Sequence, residues 1–152
     1  MLASRGDDCT ALRADAVSAV IDAGRGNGDL VVLDLPRESH PAVVAAIEST
    51  DLVVLVTTPT VVGCAAARRT AKRLLTGDVQ VALCVRGPSP GGLRACQVAD
   101  AVGLPLLASY RPDPRLPAHL ESGRPHISPR SPLGRAAQAI YGRVSPGERI
   151  AA

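Results

Sequence analysis

Four short apolar runs constrain what this chain can fold into: LVVLDL at Leu30–Leu35, LVVLVT at Leu52–Thr57, VQVALCV at Val79–Val85 and LLASY at Leu106–Tyr110. The first three are apolar nearly throughout instead of alternating. A strand with one wet face alternates, whereas a strand covered on both faces does not. Between the runs the apolar spacing changes to that of helices. TALRADAVSAVIDA, residues 10–23, carries Leu12, Ala16, Val17, Val20 and Ile21 on one helical face and is expected to close at Gly24. PAVVAAIES predicts a short helix with Pro41 in its first turn. Further helices are expected over Thr60–Leu75, over Leu93–Val102 before Gly103, within PRLPAHLESG before Gly123, and over Pro132–Val144. Strands alternating with helices predict an α/β fold: a parallel sheet of about four strands with helices on both faces. No internal boundary or repeat is visible. Residues 1–144 read as a single domain and residues 145–152 as a flexible tail.

Ligands of such sheets lie outside the carboxyl ends of the strands. Candidate positions are therefore Asp34–Arg37, Thr57–Thr60, Arg86–Pro90 and Arg111–Asp113. Composition narrows the chemistry. Tyr110 and Tyr141 are the only aromatics, so the core is built from Val, Leu, Ile and Ala, and no stacking platform for single-stranded nucleic acid exists. The net charge is +3. Its one cluster, Arg68, Arg69, Lys72 and Arg73, reads either as a solvated helix face or as a patch for an acidic partner. Cys9, Cys64, Cys84 and Cys96 show no CxxC spacing and read as free cysteines in a reducing cytoplasm. No signal peptide is evident, and no apolar run reaches the ~20 residues that span a bilayer.

Asp34 closes an apolar run, where a carboxylate can hold Mg²⁺ or simply cap the next turn; spacing leaves both open. A phosphate-binding loop would need glycines between a strand and a helix, with a lysine for the phosphate charge. GRGNGD, residues 24–29, is glycine-rich but leads into a run instead of out of one, and carries no lysine. The single lysine, Lys72, falls inside a predicted helix. His40, His119 and His126 lack metal-ligand spacing, and no GxSxG elbow occurs. Asp7 and Asp8 are the only adjacent carboxylates. No independent hydrolase, transferase or oxidoreductase site is legible.

In order, DLVVLDLPR, STDLVVLVTTPT, VQVALCVRGPSPGG, VGLPLLASYRPDPRLPAHLESGRP and SPLGRAAQAI resemble the C-terminal half of MinD/ParA-type P-loop ATPases. Among these the chain is most similar to actinobacterial septum-site-determining and CpaE-like proteins. The resemblance implies an incomplete MinD-like fold lacking the P-loop strand, and a role in septum-site determination or pilus and secretion assembly. It implies ATP and Mg in the family, with no cofactor expected for this chain alone. Asp34 matches the Walker B aspartate, a metal position only when the P-loop half is present. Pro36 and Arg37 match the segment after it. Thr58 and Pro59 match the loop after the next strand, Arg86 the base-side loop, and Pro112 and Asp113 the segment flanking the adenine. Two departures matter: the base-reading asparagine falls at Val85, and the two-lysine Walker A loop is not in this chain. The implied protein is a truncated relative, not an ATPase alone; alternatives are half of an ATPase completed by another segment, or an unrelated α/β binding module. Implied partners are proteins of the division or pilus/secretion machinery, and a homodimer is compatible. No specific nucleic acid and no direct membrane anchor are expected, and the location is cytoplasmic.

Overall fold

The computed structural model describes residues 13–37, 40–123 and 127–145. The chain falls into two compact units, Met1–Asp51 and Leu52–Ala152.

In the first unit, helix α1 (Ala14–Gly26) packs on helix α2 (Pro41–Glu48). Ile21 is the buried anchor of α1. The helix runs past the stop expected at Gly24. It ends at Asn27, whose N–H donates to the Ala23 carbonyl at 3.3 Å, while the N–H of the left-handed Gly28, at φ 78°, donates to the Arg25 carbonyl at 2.9 Å. Gly24 is small for another reason: a Cβ there would lie 2.6 Å from Val31 Cγ2. Residues 30–35 thus pass close against α1. Helix α2 starts as expected, with Pro41 in its first turn and His40 Nδ1 accepting from the Ala42 N–H at 3.3 Å. Ala42 and Ala46 form its buried face. Two ion pairs, Arg13–Asp15 at 2.6 Å and Arg25–Asp51 at 2.7 Å, lie on the surface.

The strand expected at Leu30–Leu35 is not formed; the segment has no regular secondary structure. The reason is physical. A strand exists only when its N–H and C=O groups meet a neighbouring strand, and no described residue supplies one. Apolar, β-branched composition makes a run suitable for a sheet without providing the partner.

The second unit is a three-stranded parallel sheet in the order β1–β2–β3: β1 Leu52–Thr57, β2 Gln80–Arg86, β3 Leu106–Tyr110. The sheet has three strands where about four were expected. Central β2 is buried from Val81 to Val85. Its alternate side chains enter two cores. Val81, Leu83 and Val85 pack with Ala67 and Ala71 of α3 (Val61–Leu74) and with Val98, Ala99 and Val102 of α4 (Ala95–Val102). Cys84 packs on Ala108 of β3 and Ala136 of α6 (Pro132–Val144), beside Val54 and Tyr110. With no aromatic volume available, alanines at the contacts let helices approach the sheet closely. The short α5 (Leu116–Glu121) precedes α6. Thr60 and Ser131 cap α3 and α6, each hydroxyl accepting an N–H at 3.0 Å from Gly63 and Gly134 respectively. Helix α4 begins two residues after the expected start at Leu93, because the Arg94 N–H donates to Gln97 Oε1 at 2.9 Å and Arg94 becomes its cap.

Candidate functional site

All three strands are parallel, so their carboxyl ends share one edge of the second unit, and three loops leave from it. After β1, buried Thr57 donates its hydroxyl to the Gly63 carbonyl at 3.1 Å, which draws the turn onto the start of α3. Thr58 is exposed, its hydroxyl oxygen 3.4 Å from that of Thr60. Pro59 is buried, and its carbonyl accepts from the Ser89 hydroxyl at 3.1 Å. That bond ties the loop after β1 to the loop after β2. The Gly87 N–H donates to the Tyr110 carbonyl at 2.8 Å, tying the loop after β2 to the end of β3.

Two depressions result. The smaller, about 270 Å³, holds Arg86, Pro112 and Asp113 with Tyr110, Leu116, Pro117, Leu120 and Leu133. Its walls are apolar, and Arg86 and Asp113 supply charge of both signs. Asp113 also positions α5: its carboxylate accepts from the Arg115 N–H at 2.8 Å and its carbonyl from the Leu116 N–H at 3.1 Å. The larger groove, about 570 Å³, runs from Pro59 and Ser89 past Ser109 and Arg111 to Arg135 and Ala136 of α6. Arg135 donates to the Arg130 carbonyl at 2.6 Å, which fixes its guanidinium beside the groove.

The structure therefore gathers Arg86, Pro112 and Asp113 in one crevice, and puts Pro59 in the adjoining groove. Thr58 stands beside the cap of α3. Asp34, Pro36 and Arg37 belong to the first unit, are exposed, and form no hydrogen bond or ion pair with a described residue. Sequence reasoning missed Tyr110, which lines both depressions, and Ser109 and Arg135. Tyr110 was legible as the last residue of a strand. Arg135 carried no signal, since the exposed face of a helix does not reveal which groove it borders.

Among the described residues no group of three or more His, Cys, Asp or Glu side chains could hold a metal ion. Lys72 lies exposed on α3. Asp34 is a solvated carboxylate, and the single lysine lies within a helix, not in a glycine loop of the kind that cradles polyphosphate. Burial pushes the Cys84 thiol above its ordinary range, which disfavours the thiolate. Cys64, Cys84 and Cys96 are free thiols. His119 is exposed on α5, while Asp7, Asp8, Cys9 and His126 lie outside the described residues.

With this geometry the class of fold is defined. The chain has an α/β fold of the MinD/ParA type, in part: solved MinD and ParA structures superpose on most of it, and it covers less than two thirds of each of them. They include a ParA family ATPase from Chlorobium tepidum TLS (TM-score 0.72, 17% identity, 86% of this chain and 57% of that one). The septum site-determining protein MinD complexed with Mg-ADP from Pyrococcus horikoshii OT3 gives a TM-score of 0.72 at 19% identity, over 91% of this chain and 60% of that one. A chain of the MinC:MinD cell division protein complex of Aquifex aeolicus gives 0.73 at 17% identity, over 93% of this chain and 62% of that one. In sequence the chain is similar to two Mycobacterium tuberculosis proteins described as uncharacterized, MT3760 of strain CDC 1551 / Oshkosh and Rv3660c of strain ATCC 25618 / H37Rv. Each is 51% identical over 131 residues, 86% of this chain. The chain spans 37% of the length of either. No protein-family model matches it. No helix among the described residues is long and apolar enough to cross a membrane.

Proposed function

We propose that this chain is part of a cytoplasmic MinD/ParA-type protein of the septum-site-determining or CpaE-like kind. It acts in septum placement or in pilus and secretion assembly through contacts with other proteins, and these 152 residues alone do not hydrolyse ATP. The observation that carries the reading is the fold: 86–93% of the chain superposes on MinD and ParA structures. The similarity to Mycobacterium tuberculosis proteins supports an actinobacterial setting. The isolated chain is read as inactive because phosphate charge has no counterpart: Lys72, the single lysine, sits on the solvent face of α3 and not in a glycine loop. Val85, where the resemblance places a base-reading asparagine, is 3% exposed and packed in the core. It offers a base no side-chain hydrogen bond.

A second reading is favoured by the 37% share of the relatives' length that this chain spans. A segment outside these residues, carrying a glycine- and lysine-rich loop, completes a nucleotide site. Arg86, Pro112 and Asp113 then flank the base, and Asp34 is the carboxylate on the metal side. Titration calorimetry with ATP and Mg²⁺ separates the two. No binding to the purified chain and none to its equimolar mixture with the remaining segment of a relative supports the first reading. Binding to the mixture but to neither piece alone supports the second. Micromolar, Mg²⁺-dependent binding to the chain alone overturns the claim of inactivity. Deletion in the source organism tests the cellular role; unchanged septum positions together with unchanged pilus and secretion assembly would refute it.

A further inference from the structure

Helix α3 presents a solvent face divided along its axis. Its inward residues, Cys64, Ala67, Ala71 and Leu74, are packed against the sheet and α4. At 3.6 residues per turn, the outward arc carries Val61, Val62, Ala65 and Ala66 in the first half. In the second half the same arc carries Arg68, Arg69, Lys72 and Arg73. All eight are exposed, Val61 at 79% and Val62 at 78%. The centres of the two halves are about seven residues, roughly 10 Å, apart. No acidic residue lies within α3. None of the four cations has a side-chain hydrogen bond or an ion pair among the described residues. Asp78, just past the helix, and Asp100, on neighbouring α4, are exposed and pair with none of them. Lys72 and Arg73 complement the helix's own C-terminal dipole. That accounts for two of the charges; Arg68 and Arg69 stand further up, and the two valines gain nothing from water.

We propose that this face of α3 docks an acidic amphipathic helix of a partner protein, with apolar side chains over Val61 and Val62 and carboxylates over Arg68, Arg69, Lys72 and Arg73. Charge complementarity selects an acidic partner, and the valine pair selects among acidic partners. A nucleic-acid backbone would use the cations but has nothing to place on exposed valines. An anionic bilayer takes up a helix whose apolar and basic faces are opposite each other; here both lie on one face, and the opposite face is committed to the core. Helix α3 carries no aromatic residue, which removes base stacking on this face as well. The proposal is independent of the nucleotide question, since α3 contributes no residue to either depression.

The test uses the whole 152-residue chain and a fluorescein-labelled synthetic helical peptide. The peptide bears leucines on one half of a face and glutamates on the other half of the same face. Anisotropy is expected to show saturable binding. Arg69→Glu with Arg73→Glu is expected to weaken it tenfold or more, and a peptide with lysine in place of glutamate should then prefer that variant. Val61→Ser with Val62→Ser is expected to weaken it by roughly tenfold. Circular dichroism melts matching the parent chain confirm that these exposed substitutions leave the fold intact. The idea is overturned if the peptide does not bind, or if the valine variant binds it as tightly as the parent. It is equally overturned if a 30-base-pair DNA duplex or phosphatidylglycerol vesicles bind more tightly than the peptide through the same arginines.

Discussion

Gly63 sits where α3 begins, three residues after its cap, and the loop after β1 folds directly over it. A Cβ at this position would run into the Thr58 carbonyl oxygen and lie 2.8 Å from Thr58 Oγ1 and 2.9 Å from Thr60 Oγ1. The hydroxyls could rotate away. The carbonyl belongs to the backbone and cannot, and the Gly63 backbone is itself held by Thr57 Oγ1 at 3.1 Å and Thr60 Oγ1 at 3.0 Å. Replacing glycine by alanine inside a helix ordinarily stabilises by about 1 kcal/mol. Against that gain stand an overpacking cost of about 1–3 kcal/mol and the loss of a capping bond, about 1 kcal/mol. Gly63→Ala is therefore expected to destabilise by a net of about 2 kcal/mol. For a unit of this size that lowers the melting temperature by roughly 10 °C. Gly142 on α6 is the internal control, since a Cβ there meets nothing within 4 Å. Gly142→Ala is expected to raise stability by about 0.5 kcal/mol. Thermal and urea unfolding followed by circular dichroism would read both. If Gly63→Ala proved neutral or stabilising, like Gly142→Ala, the close approach of the loop to α3 would be wrong, and with it the placement of Thr58 and Pro59.

Other substitutions probe separate parts of the structure. Gly134→Ala should destabilise by about 1–3 kcal/mol in urea melts, because its Cβ would meet the Ser128 carbonyl and approach Pro129 Cα to 2.9 Å. Leu83→Ala, at the centre of β2 and 0% exposed, should cost about 2–5 kcal/mol; a loss under 1 kcal/mol would contradict its place in the core. In a Cys9→Ser background, Cys96 should react with a maleimide in the folded protein, while Cys84, buried with its thiol pushed up, should label only on unfolding. The Asp15 carboxylate is held below its ordinary range first by the Arg13 hydrogen bond. Its contribution is therefore present at neutral pH and lost as pH falls through the depressed value. NMR titration should show Asp15 protonating at lower pH than Asp15 in the Arg13→Gln variant, and equal midpoints would refute the contact.

Local sequence signals located those elements whose partners lie nearby or whose ends are chemically marked. Strands β1 and β3 and helix α6 match their expected bounds. In β1 an apolar run rich in valine ends at Thr57, shortly before Pro59, and α6 opens with Ser131 capping and Pro132 in its first turn. Helix α1 continues past its expected end at Gly24, whose lack of a side chain serves the passage of Val31 instead of stopping the helix. That contact joins residues on either side of a turn, and spacing within one helix carries no trace of it. The apolar character of Leu93 suggests a place in α4, yet it packs against the core from outside the helix. Burial and helical state are separate properties, and hydrophobicity reports only the first.

The same distinction governs the site. The rule that ligands lie beyond the carboxyl ends of parallel strands needs only that the strands run parallel, which the alternation of strands and helices implies. It collected Arg86, Pro112 and Asp113, which the fold brings into one crevice. It could not supply Arg135, because a helix side chain reaches a strand-end groove only through the packing of α6 on β3. It failed differently at Leu30–Leu35. There the rule presupposed a strand, and strand formation depends on a neighbour that no property of the run itself encodes. Asp34 therefore stands as a carboxylate whose position relative to any sheet edge is conditional on a pairing partner. A complementary segment that laddered with residues 30–35 would order that backbone. Hydrogen-exchange protection of Val31–Leu33 on adding such a segment, with no change in β2, is the expected sign. Unchanged exchange would mean that Leu30–Leu35 is no strand of a MinD-like sheet and that Asp34 marks no site.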